Sequence, residues 1–166
     1  MTDEYLAKML GVACEQAEAQ GATLFVVDGD VLKPYIVYNL PAEYTKGIGT
    51  VRVGEQCCGR AVAHKRPWIV TDMLTDPLFA AGRKGAADSP IRASFSVPVL
   101  DGDNAIASLA CHFTSPHTPS HLDIERNEVF ANLFSISLRG RMPLVIEKLI
   151  YVKSPGHPIR SAAAAD

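Results

Sequence analysis

The sequence predicts an α/β fold of the α+β kind, one antiparallel sheet covered by helices. Three observations carry this. Two aspartate–glycine turns, in "VVDGDVL" and "PVLDGDNAI", each join two apolar stretches, which is how antiparallel hairpins are written. Stretches with helical spacing stand before, between and after those hairpins. Strands interleaved with helices favour a covered sheet over a sandwich, and no internal repeat suggests a solenoid.

The elements follow in order. A first helix runs from Asp3, its cap, to about residue 20, with Leu6, Met9, Leu10, Ala13 and Ala17 on one face and Gly21 as its stop. Strands 22–27 and 31–38 flank the "DGD" turn. Residues 40–49 form a connection with one helical turn, leading to a short strand at 50–53. A helix at 56–65 begins among Gly54 and Gly59 and is ended by Pro67. Strand 68–71 comes next, then a loop and a short helix around 77–85. Strand 91–100 contains Pro98, which implies an edge or a bulge. After "DGDN" comes strand 105–114, built of small and apolar residues. Ser120 caps a long helix from 122 to about 139, with a wide face of Ile124, Val129, Phe130, Leu133, Phe134 and Leu138.

Val129, Leu133, Ile136 and Leu138, with the apolar "LVIEKLIYV" at 144–152, offer more apolar surface than one sheet face covers. Either a partner meets it or the C-terminal segment folds back over it. Residues 153–166 read as a loose tail, so one domain is expected over 1–142 and an extension or tail over 143–166.

Composition limits the function. With 166 residues, 48% hydrophobic and 20% charged, the chain supports one domain with a sizeable core. A net charge of -2 without a basic block speaks against a nucleic-acid partner. No apolar run approaches the roughly 18 residues that span a bilayer, and the start lacks a signal-peptide core, so the expected compartment is the cytoplasm. The four cysteines, at 14, 57, 58 and 111, show no CxxC pair, and no histidine spacing supplies a metal cluster, so neither metal nor cofactor is expected.

Over residues 22–138 the chain resembles a GAF domain. The stretches that carry the likeness are "LPAEYTKGIGTVRVGEQCCGRAVAHKRPWIVTDMLTDPLF", "IRASFSVPVLDGDNAIASLACHFTSPHTPS" and the closing helix. One departure is Ala107, where the family commonly has glycine. The resemblance implies a six-stranded antiparallel sheet with helices on both faces. The first and last helices share one face and pair between subunits, giving a homodimer. Connecting segments cover the other face and enclose a small-molecule pocket. No kinase, cyclase or DNA-binding segment is expected in the rest of the chain, so a signalling protein such as a sensor kinase of a two-component system is the implied partner.

Cys57 and Cys58 stand at the first turn of the helix implied to face the pocket. They are either small packing residues or a ligand site, because a helix start offers free N–H groups and partial positive charge. The same field would lower a thiol pKa and make Cys58 reactive. Free methionine sulfoxide reductases are similar at "GEQCCGRAV", with a cysteine where Cys58 stands. Their chemistry needs further cysteines before the "SVPV" strand, and "GRKGAADSPIRASF" has none. The stand-alone nitrate-receptor type is similar in size and layout. Cys111 and His112 resemble the pair of bilin-binding members, but neighbours on a strand point to opposite faces, against a bilin thioether.

Arg92 is either a surface arginine or a bidentate partner for an anion. Ser94 and Ser96 either give hydroxyls to a ligand or form a solvated edge face. Trp68 is core filler or wall, and Tyr35 and Tyr38 line the pocket or pack under helices. Asp72 serves a turn, and Asp76 caps the short helix with Phe79 pointing inward. The candidate ligand-binding residues are therefore Tyr35, Val37, Cys57, Cys58, Gly59, Trp68, Phe79, Ile91, Arg92, Ser94 and Ser96. With no catalytic triad or paired carboxylates by spacing, the expected function is a sensory domain for a small polar or anionic ligand, nitrate included. A thiol-dependent methionine sulfoxide reductase and a ligand-free dimerisation module are the competing readings.

Overall fold

The computed structural model describes residues 1–154, apart from the side chains at 45, 47, 48, 80–82, 85 and 86. The end of the expected tail, with His157, lies outside the described residues.

Helix α1 (Asp3–Gln16) is capped by Thr2 rather than Asp3, the Thr2 hydroxyl accepting from the Tyr5 N–H. It ends at Gln16, four residues short of the expected end near residue 20. Glu18 takes the left-handed conformation at φ 54, its N–H donates to the Glu15 carbonyl, and the Ala19 N–H reaches back to that of Cys14. This is the paired closure usually built on glycine, here built on a glutamate.

Strands β1 (Gly21–Asp28) and β2 (Val31–Tyr38) form the first hairpin. Short helix α2 (Ala42–Ile48) and strand β3 (Val51–Arg52) lead into helix α3 (Gln56–His64). Strand β4 (Trp68–Val70), a 3-10 turn (Pro77–Gly82) and helix α4 (Arg83–Ala87) follow. Strands β5 (Ala93–Asp101) and β6 (Asn104–Phe113) form the second hairpin. Helix α5 (His121–Leu138) starts in a full capping box: Ser120 Oγ accepts from the Asp123 N–H, and the Asp123 carboxylate accepts from the Ser120 N–H.

Six strands form an antiparallel sheet in the order β3-β2-β1-β6-β5-β4. Pro98 sits past Ser96, the last β5 residue paired with β4, so its missing N–H removes no bond on that edge. Helix α6 (Met142–Val145) and strand β7 (Ile150–Val152) continue the chain back onto the sheet, β7 lying parallel to β2 with Ile36 opposite Ile150. Val145 is fully buried, and Lys148 and Arg141 both reach the Asp3 carboxylate.

The strands divide their side chains between two faces. Leu24, Val26, Phe95, Val97, Val99 and Leu109 meet Leu6 and Leu10 of α1 and Phe134 and Leu138 of α5 in one apolar core. Ser94, Ser96, Ala110 and His112 point the other way, under α3. The long helix is apolar on both sides: Phe134 and Leu138 are buried, while Val129 and Ile136 are 59% and 61% exposed. Among the described residues no helix is long and apolar enough to cross a membrane.

Candidate functional site

Helix α3 sits directly on the chain entering it. A methyl group on Gly59 would lie 2.2 Å from the Arg52 carbonyl oxygen, so only glycine permits this approach. The Gly59 carbonyl accepts from the Gly54 N–H, closing the loop before the helix. Glu55 occupies the N-cap without a side-chain capping bond, and Gln56 is held at φ 54. Such backbone strain in a non-glycine residue collects at functional sites.

Beneath this helix start lies a cavity of about 20 Å³ lined by Phe25, Tyr44, Val51, Gln56, Cys57, Cys58, Met73, Phe79, Ser94, Ser96, Ala110 and His112. That is space for the centre of about one water molecule. Its floor is polar. Register sets Ser94 opposite His112 and Ser96 opposite Ala110. Ser94 Oγ shares a 2.6 Å hydrogen bond with His112 Nδ1, and Thr23 Oγ1 a 3.1 Å bond with Nε2. The Tyr44 hydroxyl lies 3.5 Å from Nδ1, with its ring edge-on to the imidazole. Ser96 is fully buried and its hydroxyl has no hydrogen-bond partner. Burial pushes the His112 pKa down to about 3, which keeps the ring neutral.

The cover is held by its own bonds. The Met73 N–H donates to the Arg92 carbonyl, and the Asp76 carboxylate accepts from the Leu78 N–H, turning Phe79 inward. Arg60 of α3 donates to the Leu78 carbonyl and Arg83 to that of Asp76.

Of the residues proposed from sequence, Cys57, Cys58, Phe79, Ser94 and Ser96 line this cavity. Val37 and Ile91 lie behind its wall in an apolar cluster with Cys57, Met73 and Phe79, and Trp68 packs at that cluster's edge. Outside, the His64 ring stacks on Trp68 at 4.9 Å, with the Arg60 and Arg66 guanidiniums 5.6 and 5.4 Å from the indole. Gly59 serves the helix approach. Two expectations are corrected. Tyr35 lies on the opposite face, where its hydroxyl donates to Asp3: a bulge at Leu24/Phe25 pairs Leu24 with Ile36 and Phe25 with Pro34, leaving Tyr35 as the extra residue turned toward α1. Arg92 faces Asp72 rather than the cavity, with both carboxylate oxygens engaged and the closer at 2.9 Å, and it holds the Asp72 pKa below the usual range.

The thiols fit the packing alternative rather than the lowered pKa that a helix start would give. The Cys57 thiol donates to the Trp68 carbonyl at 3.3 Å, and burial pushes its pKa up to about 12. Burial likewise raises the Cys58 pKa. A helix-end field is worth about 0.3–1 kcal/mol, less than the desolvation of a thiolate, so both sulfurs remain protonated.

Gln56, at the helix start expected to anchor a ligand, and Met73, in the "DMLTDPLF" segment expected to complete the pocket, also line it, whereas Phe25, Tyr44, Val51, Ala110 and His112 were not singled out from sequence. For His112 the signal was half present. Counting back from the turn pair Asp101/Asn104 puts Cys111 opposite Ser94, but a bulge between Val99 and Leu100 shifts the register so that His112 stands there.

A sequence profile of the GAF domain family matches residues 2–138. No curated protein sequence matches the chain. Solved structures with the same fold include a domain assigned to a two-component sensor histidine kinase protein of Sinorhizobium meliloti 1021, at TM-score 0.72 and 13% identity over 87% of this chain and 94% of that one. The GAF domain of a phosphoenolpyruvate-protein phosphotransferase from Coxiella burnetii gives 0.69 and 15%, covering 83% and 84%. Free methionine-R-sulfoxide reductase from Neisseria meningitidis, in complex with its substrate, gives 0.68 and 19%, covering 86% and 80%. With the profile spanning most of the chain and the sheet order, helix layers and enclosed hollow in place, this protein belongs to the GAF domain family.

Proposed function

We propose that this GAF domain is a cytoplasmic sensory module that binds a small polar molecule beneath α3 and signals through protein contacts without turning the molecule over. The observation that carries the reading is the cluster of Ser94, Ser96 and His112 in the floor of a mostly apolar hollow, with the Ser96 hydroxyl making no hydrogen bond of normal geometry. A group larger than water enters only if Tyr44, Met73 or Phe79 moves, and binding would shift the population toward that opened arrangement. The output surface is the outer face of α1 and α5. Tyr5 and Val12 are exposed on α1, and Leu122, Val129, Leu133 and Ile136 on α5, the last three at spacings of four and three. This seam suits a second copy of the chain, and a two-component sensor protein is the proposed downstream partner.

A thermal-shift screen of small anions, amino acids and nucleotides tests the binding reading. A ligand at 100 times its dissociation constant adds about 2.7 kcal/mol of stability, a rise of roughly 5 °C or more. Sedimentation tests the seam: a dimer is expected, and V129E/I136E should give monomer. The small cavity favours one competing reading, a ligand-free dimerisation module. A silent screen with an intact dimer would establish it. The fold likeness to the reductase favours the other, and turnover of free methionine sulfoxide would overturn the proposal. The protonated, buried Cys57 and Cys58 argue against such turnover, because the thiolate is the nucleophile.

A further inference from the structure

We infer that the cavity takes the uncharged amide or alcohol end of a small molecule, held by Ser96 Oγ and Ser94 Oγ, and rejects carboxylates and ammonium groups. This rests on the sensory reading above and narrows its ligand class.

Among the described residues no charged side chain lines the cavity. Of the arginines on the elements around it, Arg92 is engaged by Asp72, and Arg60 donates from one terminal nitrogen to the Leu78 carbonyl while its Nε is buried without a partner; neither lines the cavity. The N-cap residue of α3 is Glu55, so the helix start that would attract an anion carries a carboxylate of its own. An ion in this hollow would lose its hydration without a counter-charge on the wall, a cost that hydroxyl contacts do not restore.

The polar groups present can each donate and accept. Ser96 Oγ is buried on the cavity wall beside the Cys57 sulfur, makes no hydrogen bond of normal geometry, and can donate or accept. Ser94 depends on His112. With the imidazole proton on Nε2, donated to Thr23, Nδ1 accepts from Ser94, and Ser94 offers a lone pair to the cavity. With the proton on Nδ1, donated to Ser94, Thr23 donates to Nε2, and the Ser94 hydrogen turns to the cavity. A wall that presents donor and acceptor side by side, and exchanges them without creating charge, matches a primary amide or a hydroxyl.

The test is an isosteric pair. Acetamide and acetate are titrated at equal ionic strength into the wild type and Ser96→Ala, following backbone amide resonances of residues 94–96 and 110–112 and the melting temperature. Acetamide should give saturable shifts at these residues and raise the melting temperature, acetate should give neither, and Ser96→Ala should bind acetamide at least tenfold more weakly. Acetate binding as tightly as acetamide, no acetamide binding, or unchanged binding by Ser96→Ala overturns the inference. If acetamide fails while other compounds in the screen stabilise the protein, the ligand class is wrong and the sensory reading stands. Silence from every compound removes both.

Discussion

The two faces of the sheet are built from the same strands and differ in almost every physical respect. Along β5, Phe95, Val97 and Val99 enter a hydrocarbon core against α1 and α5, while Ser94 and Ser96 enter a polar floor under α3. One side is closed by helices of 14 and 18 residues, the other by a nine-residue helix and short irregular pieces. Alternation along a strand lets one sequence stretch serve both ends. Stability resides where apolar side chains interlock, and the face with hydroxyls, an imidazole and an incompletely filled hollow contributes less of it; in the proposed reading that is the face a ligand uses.

Substitution on each face tests this division. The largest effect is expected for Phe134→Ala, which removes a fully buried ring from the α1/α5 face. It should cost about 3–5 kcal/mol in urea unfolding, as ring deletions in packed cores do. A loss near 1 kcal/mol would mean that this face is loosely packed and that the contrast between faces is wrong.

Gly59→Ala comes next, and here two effects compete. Alanine is the better helix former by about 1 kcal/mol. The added methyl would meet the Arg52 carbonyl oxygen at 2.2 Å, and backbone cannot step aside as a long side chain does. The clash should win, with a net loss of roughly 3 kcal/mol, toward the upper end for overpacking. A stabilised Gly59→Ala protein would show that α3 does not rest on β3 as described.

His112 makes the polar face pH-sensitive. Its folded pKa, about 3, lies below its unfolded value near 6.5, so the folded state resists protonation. The stability is fully present above pH 6.5 and is lost as the pH falls toward 3. Thr23, Ser94 and Tyr44 are its hydrogen-bonding neighbours, none a carboxylate that would welcome the charge. Asp3 and Asp72, held low by cationic partners, lose their contribution only in a more acidic window. Between about pH 7.5 and about pH 5 the protein should therefore lose roughly 2 kcal/mol through His112. His112→Gln should flatten that slope in urea midpoints. An unchanged slope would mean the imidazole is not sealed from water.

What could be read from sequence divides along a related line. Strand positions, the aspartate–glycine turns, the Ser120 cap and the order of helices follow from local chemistry, and the structure has them within a few residues. The faces follow from register, and register is set by bulges at Leu24/Phe25 and Val99/Leu100 that no local pattern announces. One bulge turned Tyr35 away from the cavity and the other brought His112 to it. Arg92 was misplaced because its partner, Asp72, is twenty residues away in sequence. Between the two readings left open for Cys57 and Cys58, burial favours packing over reactivity; a helix-end field is legible in sequence, whereas the depth of burial that outweighs it is not.

Ser96→Ala should have the smallest effect, and its sign is the informative part. A buried hydroxyl with a partner is worth about 1 kcal/mol when removed. Ser96 Oγ lies near enough to the Cys57 sulfur to favour its thiolate, yet makes no hydrogen bond of normal geometry. Its removal relieves an unsatisfied polar atom and leaves a methyl facing other small groups, so the unliganded protein should be unchanged or stabilised by up to about 1 kcal/mol. The same change on the α1/α5 face, removing an atom from a packed side chain, could only destabilise. A clear loss of stability in Ser96→Ala would mean that the hydroxyl already has a structural partner. The hollow under α3 would then be a satisfied core site, and the difference between the two faces would be one of composition alone.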